Sequence, residues 1–193
     1  MKNIAIFASG AGSNAQKIID HFRHSDLANV ALVGCNKPGA GVIGIAARER
    51  IPVLAIEKED FFQGDAYIGE LRKRDIDFIV LAGFLWKVPS LLIQAYPNRI
   101  INIHPALLPK YGGKGMYGSH VHDAVLAAGE KESGITIHYV DEHYDHGDNI
   151  FQATCEVLPD DTPETLAARI HVLEHTHYPV VIEKLVAHLS TEG

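Results

Sequence analysis

Ile100-Ile101-Asn102-Ile103-His104-Pro105 is the stretch on which the reading of this chain turns. The isoleucines at 100, 101 and 103 have the composition of a buried strand. Pro105, with no N–H to donate, ends the ladder. Residues two apart on a strand leave the same face, so Asn102 and His104 emerge together. An amide and an imidazole buried without partners cost about 1–3 kcal/mol each. Such a strand either satisfies them structurally or presents them to a ligand.

Upstream of this strand the chain alternates. Residues 3–9 read as a buried strand, Gly10-Ala11-Gly12-Ser13-Asn14 as a tight turn, and Ala15–Arg23 as a helix with Ile18, Ile19 and Phe22 on one face. Strands follow at Val30–Cys35, Val53–Ile56 and Phe78–Ala82, with helices at Val42–Arg50, Ala66–Arg74 and Ser90–Ala95. This order predicts an α/β fold: a doubly wound, mostly parallel twisted sheet with flanking helices, Rossmann-like in type. Downstream the rhythm changes. Leu107–Gly118 reads as a loop, His120–Ala128 as a helix, and Ile135–Val140 and Ile150–Val157 as a strand pair joined through Asp141–Asn149. Thr162-Pro163-Glu164-Thr165 has the form of a helix start. That helix is expected to reach about His175, with Pro179 interrupting or restarting it before a terminal helix over Val180–Leu189. The 193 residues suit one domain, 1–193, with two lobes divided near residue 100.

Composition narrows the function classes. The hydrophobic fraction is 47% and no apolar run is long enough to span a bilayer, so no membrane role is expected. Met1-Lys2-Asn3-Ile4 leads straight into a strand without a signal-peptide pattern, which places the protein in the cytoplasm. Cys35 and Cys155 lack metal-like spacing and read as reduced thiols. A net charge of −7 with no Lys/Arg block argues against nucleic acid as a partner.

Three other clusters could carry chemistry. Ser9-Gly10-Ala11-Gly12-Ser13-Asn14 lies between a strand and a helix, where backbone N–H groups and the helix dipole favour an anion. It is neither a full dinucleotide fingerprint, since Ala15 holds the third glycine position, nor a P-loop. A phosphomonoester suits it; a tight turn with Ser13 or Asn14 as cap is the plainer alternative. Asp141-Glu142-His143-Tyr144-Asp145-His146-Gly147-Asp148 is dense in carboxylates and imidazoles, and one carboxylate turned inward would raise the pKa of His104. Gln152 stands where a calcium loop needs glutamate. His171, His175 and His177 lack the His-Glu-x-x-His order of a zinc helix, so no metal is expected. Glu174 is a candidate acceptor for hydroxyls.

Together these segments resemble the phosphoribosylglycinamide formyltransferases, folate-dependent enzymes of purine synthesis. The resemblance covers nearly the whole chain. It is carried by Ala8–Asn14, by Asn102–Tyr111, by Gly134–Glu142 running to Asp145-His146-Gly147, and by Glu174-His175 with Tyr178-Pro179. It implies a phosphate-binding lobe over 1–99 and a catalytic and folate lobe over 100–193. It implies that Asn102, His104 and Asp145 form the catalytic set, and that Gly12, Ser13 and Asn14 hold the phosphate of glycinamide ribonucleotide. By the same resemblance Glu174 takes the ribose hydroxyls. The co-substrate 10-formyltetrahydrofolate would lie along Leu85, Trp86, Lys87 and Val88 and against Asn102, His138, Val140, Asp141 and Asp145. The implied reaction is direct attack of the amine on the formyl carbon, without covalent enzyme intermediate or metal, by a monomer or homodimer. By the same resemblance Asn102 and a protonated His104 would stabilise the tetrahedral intermediate, and Asp145 is expected to keep His104 charged and to assist proton transfer. Trp86 and Lys87 depart from the Arg and aliphatic residue of many relatives. Lys114–Gly118 reads as a mobile closing loop.

The Asn-x-His-Pro core specifies chemistry more than acceptor. A formyl-folate hydrolase shares it, but its relatives add an N-terminal domain and need no sugar-phosphate loop. The initiator methionyl-tRNA formyltransferase adds a C-terminal RNA-binding barrel, and sugar-nucleotide formyltransferases differ in the first loop. A silent phosphate-binding domain would not need Asn102, His104 and Asp145 intact.

Overall fold

Seven strands form one sheet in the order β3-β2-β1-β4-β5-β6-β7. The structure is a computed structural model that describes residues 1–63 and 65–191. The strands are β1 (Lys2–Ala8), β2 (Ala28–Cys35), β3 (Val53–Ala55), β4 (Ile76–Leu81), β5 (Ile100–His104), β6 (Glu132–Tyr139) and β7 (Asn149–Glu156). β1 to β5 pair in parallel; β6 and β7 add on antiparallel. The predicted doubly wound, mostly parallel sheet is the observed architecture.

Alternation along the strands splits the core in two. On β1, Ile4, Ile6 and Ala8 enter one cluster, and Ala5 and Phe7 enter the other. The first cluster is covered by α1 (Ser13–Phe22), α2 (Gly41–Glu49), α6 (Ser119–Ala127) and α7 (Pro163–Thr191). The second lies under α3 (Lys58–Gln63), α4 (Ala66–Lys73) and α5 (Ser90–Ala95). α1 shows why these segments are helical: Ala15, Ile18, Ile19 and Phe22 recur at i, i+3, i+4 and i+7 and are all buried. Each large side chain among them contributes about 1.5–3 kcal/mol.

One element went unread and one expectation needs correction. α3 was not legible as a helix; at six residues it is too short for a period and is held by Phe61, buried among aromatics. Nor does Pro179 interrupt the last helix, because α7 runs unbroken from Pro163 to Thr191. An interior proline forfeits one hydrogen bond and costs about 3 kcal/mol. Burial of Tyr178, Val181, Ile182 and Val186 around it outweighs that at about 1.5–3 kcal/mol each. The Tyr178 hydroxyl also donates to the Leu81 carbonyl at 2.8 Å, pinning α7 to the end of β4. The start of α7 is as expected: Thr165 N–H donates to Thr162 Oγ1 at 3.3 Å, and Thr162 N–H to Thr165 Oγ1 at 2.9 Å.

Chain order reverses between β1, which leads outward to β2 and β3, and β4, which leads the other way. Open α/β sheets form their crevice at such a switch, beyond the carboxyl ends of the strands. There the glycine loop after β1, the segment after β4 and the end of β5 meet.

Candidate active site

The crevice is a cavity of about 940 Å³. One end is made of main chain. Gly12 is the N-cap of α1 at φ 85°, a conformation open to glycine, and no side chain caps the helix. A Cβ on Gly12 would lie 2.8 Å from Ile45 Cδ1 and 2.9 Å from the Val42 backbone. The alternative of a cap by Ser13 or Asn14 is therefore not what the chain adopts, and first-turn N–H groups stay available to an anion. Ser9 Oγ donates to Asn36 Oδ1 at 2.6 Å and accepts from Leu85 N–H at 3.0 Å, tying the loop to the segment after β4. Across the cavity, Glu174 of α7 accepts from Asn14 Nδ2 at 2.9 Å. Burial pushes the Glu174 carboxyl above its ordinary pKa, against the pull of Asn14.

The other end is made of side chains. On β5, Ile101 and Ile103 enter one core and Ile100 the other, so Asn102 and His104 project together as the alternation predicts. The antiparallel register sets Asn102 opposite His138 and His104 opposite Thr136. His138 Nδ1 lies 2.8 Å from the Tyr139 carbonyl, which can only accept, so that nitrogen carries the proton. Its Nε2 lies 3.2 Å from Asn102 Nδ2. The same logic fixes His104: Nε2 is 2.7 Å from the Tyr111 carbonyl and must donate. His104 Nδ1 faces Asp145 Oδ2 at 3.5 Å, within ion-pair range but too long for a hydrogen bond. Asp145 Oδ2 accepts from Gly113 N–H at 3.0 Å, and Oδ1 lies 3.7 Å from His138 Nε2.

The charge expected of His104 is corrected by this geometry. His104 is 3% exposed, and burial pushes its pKa below the ordinary histidine value. Asp145 and the Tyr111 carbonyl oppose the shift without reversing it. The sequence identified the carboxylate that faces His104, but not the depth of the strand end, which decides the sign. Asp145 itself is held below its ordinary value, with burial opposed by His138, His104 and the Gly113 N–H.

The residues expected from the sequence to bind or catalyse line this one cavity: Gly12, Ser13, Asn14 and Glu174 at one end, and Asn102, His104 and Asp145 at the other. Leu85, Trp86, Lys87 and Val88 form one wall, and His138, Val140 and Asp141 another. Trp86 packs on Phe61 and Phe62 with ring centroids at 6.1 and 5.8 Å, so an aromatic platform backs this wall. Lys114, Gly115, Met116, Tyr117 and Gly118 also reach the cavity.

Several lining or supporting groups were not found from the sequence. Lys37 and His122 line the cavity, as does His171, which the sequence offered only as one of a histidine trio weighed for a metal. His171 stands three residues before Glu174 on α7, so helical spacing could have paired them. Thr136 is fully buried, donates to the Ala106 carbonyl at 2.7 Å and accepts from Leu108 N–H at 3.0 Å, fixing the segment after β5. It precedes His138 by two, a strand signal that was available. Tyr111 and Gly113 contribute main-chain groups, which carry no such signal. Among the described residues, Asp141, His143 and His146 form a set whose ligand atoms lie within 4.8 Å of one another. Two of these donors, His143 and His146, are exposed, and His146 Nδ1 is 2.8 Å from the Asp141 carboxylate. Of the histidines on α7, His171 and His175 have ring centroids 5.9 Å apart, and His177 packs on Phe151 at 4.9 Å. No described helix is long and apolar enough to cross a membrane.

Comparison with known proteins agrees with this architecture. The formyl transferase family model matches residues 2–182. A chloroplastic phosphoribosylglycinamide formyltransferase of Arabidopsis thaliana is 43% identical over 187 residues, 94% of this chain and 64% of that protein. The chain thus spans less than two thirds of that plant relative. The phosphoribosylglycinamide formyltransferase of Bacillus subtilis strain 168 is 41% identical over 198 residues, covering 100% of this chain and 98% of its own. Among solved structures, phosphoribosylglycinamide formyltransferase from Bacillus halodurans superposes with a TM-score of 0.87 at 40% identity, covering 96% of this chain and 95% of that one.

Proposed function

The chain belongs to the formyl transferase family, and from that premise we propose that it moves the formyl group of 10-formyltetrahydrofolate to the amine of N1-(5-phospho-D-ribosyl)glycinamide. The observation that carries this reading is one continuous cavity with an uncapped glycine-loop helix start and Glu174 at one end and Asn102, His104 and Asp145 at the other. The first end suits a ribose phosphate: N–H groups for the phosphate, the Glu174 carboxyl for hydroxyls. The second suits acyl transfer to an amine.

In this reading the neutral amine attacks the formyl carbon, forming the new C–N bond and a tetrahedral oxyanion. Asn102 donates to that oxygen through its amide. His104 rests neutral with Nε2–H on Tyr111, so Nδ1 is the nitrogen left to take the proton that the amine sheds. Asp145, 3.5 Å away, stabilises the imidazolium that forms. The proton then passes to the leaving nitrogen N10 as its bond to carbon breaks, giving tetrahydrofolate. Confinement of both reactants in one cleft supplies much of the remaining acceleration. The donor would lie along Leu85–Val88 and the wall from His138 to Asp145. Neither a covalent enzyme intermediate nor a metal is part of the proposed route.

The test is to mix the protein with 10-formyltetrahydrofolate, with and without the ribonucleotide, and follow loss of the formyl group. Loss only when the ribonucleotide is present is the expected result. Loss without it would replace the proposal by folate hydrolysis; no loss in either case would overturn it.

A further inference from the structure

Both partners of the His104–Asp145 pair are held by one turn. The Tyr111 carbonyl accepts from His104 Nε2 at 2.7 Å, and two residues on, the Gly113 N–H donates to Asp145 Oδ2 at 3.0 Å. The turn therefore sets the distance between imidazole and carboxylate. It is tightly packed, since a Cβ on Gly112 would meet Leu108 Cδ2 at 2.5 Å and Asp145 Cβ at 3.3 Å. It is also strained: Tyr111 has φ 56°, which costs a non-glycine residue on the order of 1–2 kcal/mol. Such a conformation persists only where the surroundings over-determine it.

What holds it lies outside the cavity. The Tyr111 hydroxyl donates to Glu130 Oε1 at 2.8 Å, and Lys110 Nζ donates to the same oxygen at 2.9 Å. Glu130 stands in the connection between α6 and β6, with its own N–H on the Val125 carbonyl at 3.3 Å. Neither Tyr111 nor Glu130 is among the residues that line the cavity. We infer that Glu130 is a positioning residue for His104: through the Tyr111 hydroxyl it fixes the carbonyl that orients the imidazole and the N–H that orients Asp145. The inference rests on the proposed chemistry for its kinetic consequence, but its structural claim stands on the turn alone.

Three variants test it. Glu130→Ala removes the acceptor, Tyr111→Phe removes the hydroxyl while keeping the ring, and Glu130→Gln keeps an oxygen that can accept. Each is measured by the kcat and KM for both substrates and by NMR titration of the His104 ring. The charged or titratable groups facing His104 are Asp145 from the β6–β7 connection, His138 from β6 and His122 from α6. All three remain in every variant. Glu130→Ala and Tyr111→Phe should lower kcat about tenfold with both KM values within about twofold, since misplacement by 1 Å can cost 10²-fold. The pKa of His104 should fall in both, because loosening the Tyr111 carbonyl removes an interaction that raises it. Glu130→Gln should recover most of both effects. A merely structural role would lower the melting temperature while leaving kcat and the His104 titration as in the wild type, and that result overturns the inference. If the wild-type protein showed no formyl transfer at all, the titration would still decide whether Glu130 governs His104.

Discussion

The two ends of the cavity are built from different material. The glycine-loop end is mostly main chain, preset by Gly12 and by the packing of α1 on the sheet, with Glu174 anchored to it through Asn14. The β5 end is side chain, and its behaviour depends on where protons sit on His104, His138 and Asp145. A backbone site is already formed before its ligand arrives and suits binding. A cluster of buried titratable groups can change state during a reaction and suits rate. Under the proposed function, the contrast would give affinity for the acceptor to one end and turnover to the other.

The largest effect that could break this division is at His104. His104→Ala should cut kcat on the order of 10³-fold and leave the acceptor KM within a few-fold; steady-state kinetics with both substrates checks it. A large rise in acceptor KM would merge the two ends. Next is Gly12→Val, which puts a branched side chain into Val42 and Ile45 at a positive φ. Overpacking of this kind costs about 1–3 kcal/mol. The melting temperature should fall, and the acceptor KM should rise about 10- to 100-fold, with kcat at saturation much less affected. Glu174→Gln, which keeps the shape and can still meet Asn14, should raise the acceptor KM about tenfold, equivalent to about 1.4 kcal/mol. A fall in kcat at unchanged KM would instead place Glu174 with the rate-determining end.

The smallest effect sharpens the division by pH. In Asp145→Asn a group that raises the His104 pKa is lost, so the already depressed value should drop further, as read from the ring resonances by NMR. The sign for stability follows. His104 binds its proton less readily folded than unfolded, so its contribution is full above about pH 6.5 and is lost as the pH falls toward its folded pKa. The melting temperature should therefore decline on acidification below about pH 6.5, more steeply in the variant.

Legibility divided along similar lines. Strands and helices that bury a face announce themselves: Ile4 to Ala8, the i, i+3, i+4, i+7 face of α1 and the β5 isoleucines each carry a period. Residues that line the cavity were readable where side-chain type and spacing suggest a chemistry, as with Asn102, His104 and the glycine loop. What escaped depends on distance in space. α3 has no period of its own, and α7 survives Pro179 only through tertiary burial. The sign of the His104 shift depends on burial and not on the neighbouring carboxylate alone. The Tyr111 carbonyl and Gly113 N–H belong to no residue type, so no pattern in the sequence can point to them.

The position of α7 in the chain has a consequence for how the protein is made. All seven strands are complete by Glu156, yet the helix that covers Ile135 and Ile137 and supplies Glu174 begins only at Pro163. At about 5–20 residues per second, a ribosome needs roughly 1.5–6 s to synthesise its 29 residues. During that interval the part of the sheet that α7 covers is unsheltered, and no hydroxyl from Tyr178 reaches the end of β4. A sheet that formed during synthesis would pass through a brief adhesive stage before α7 docks.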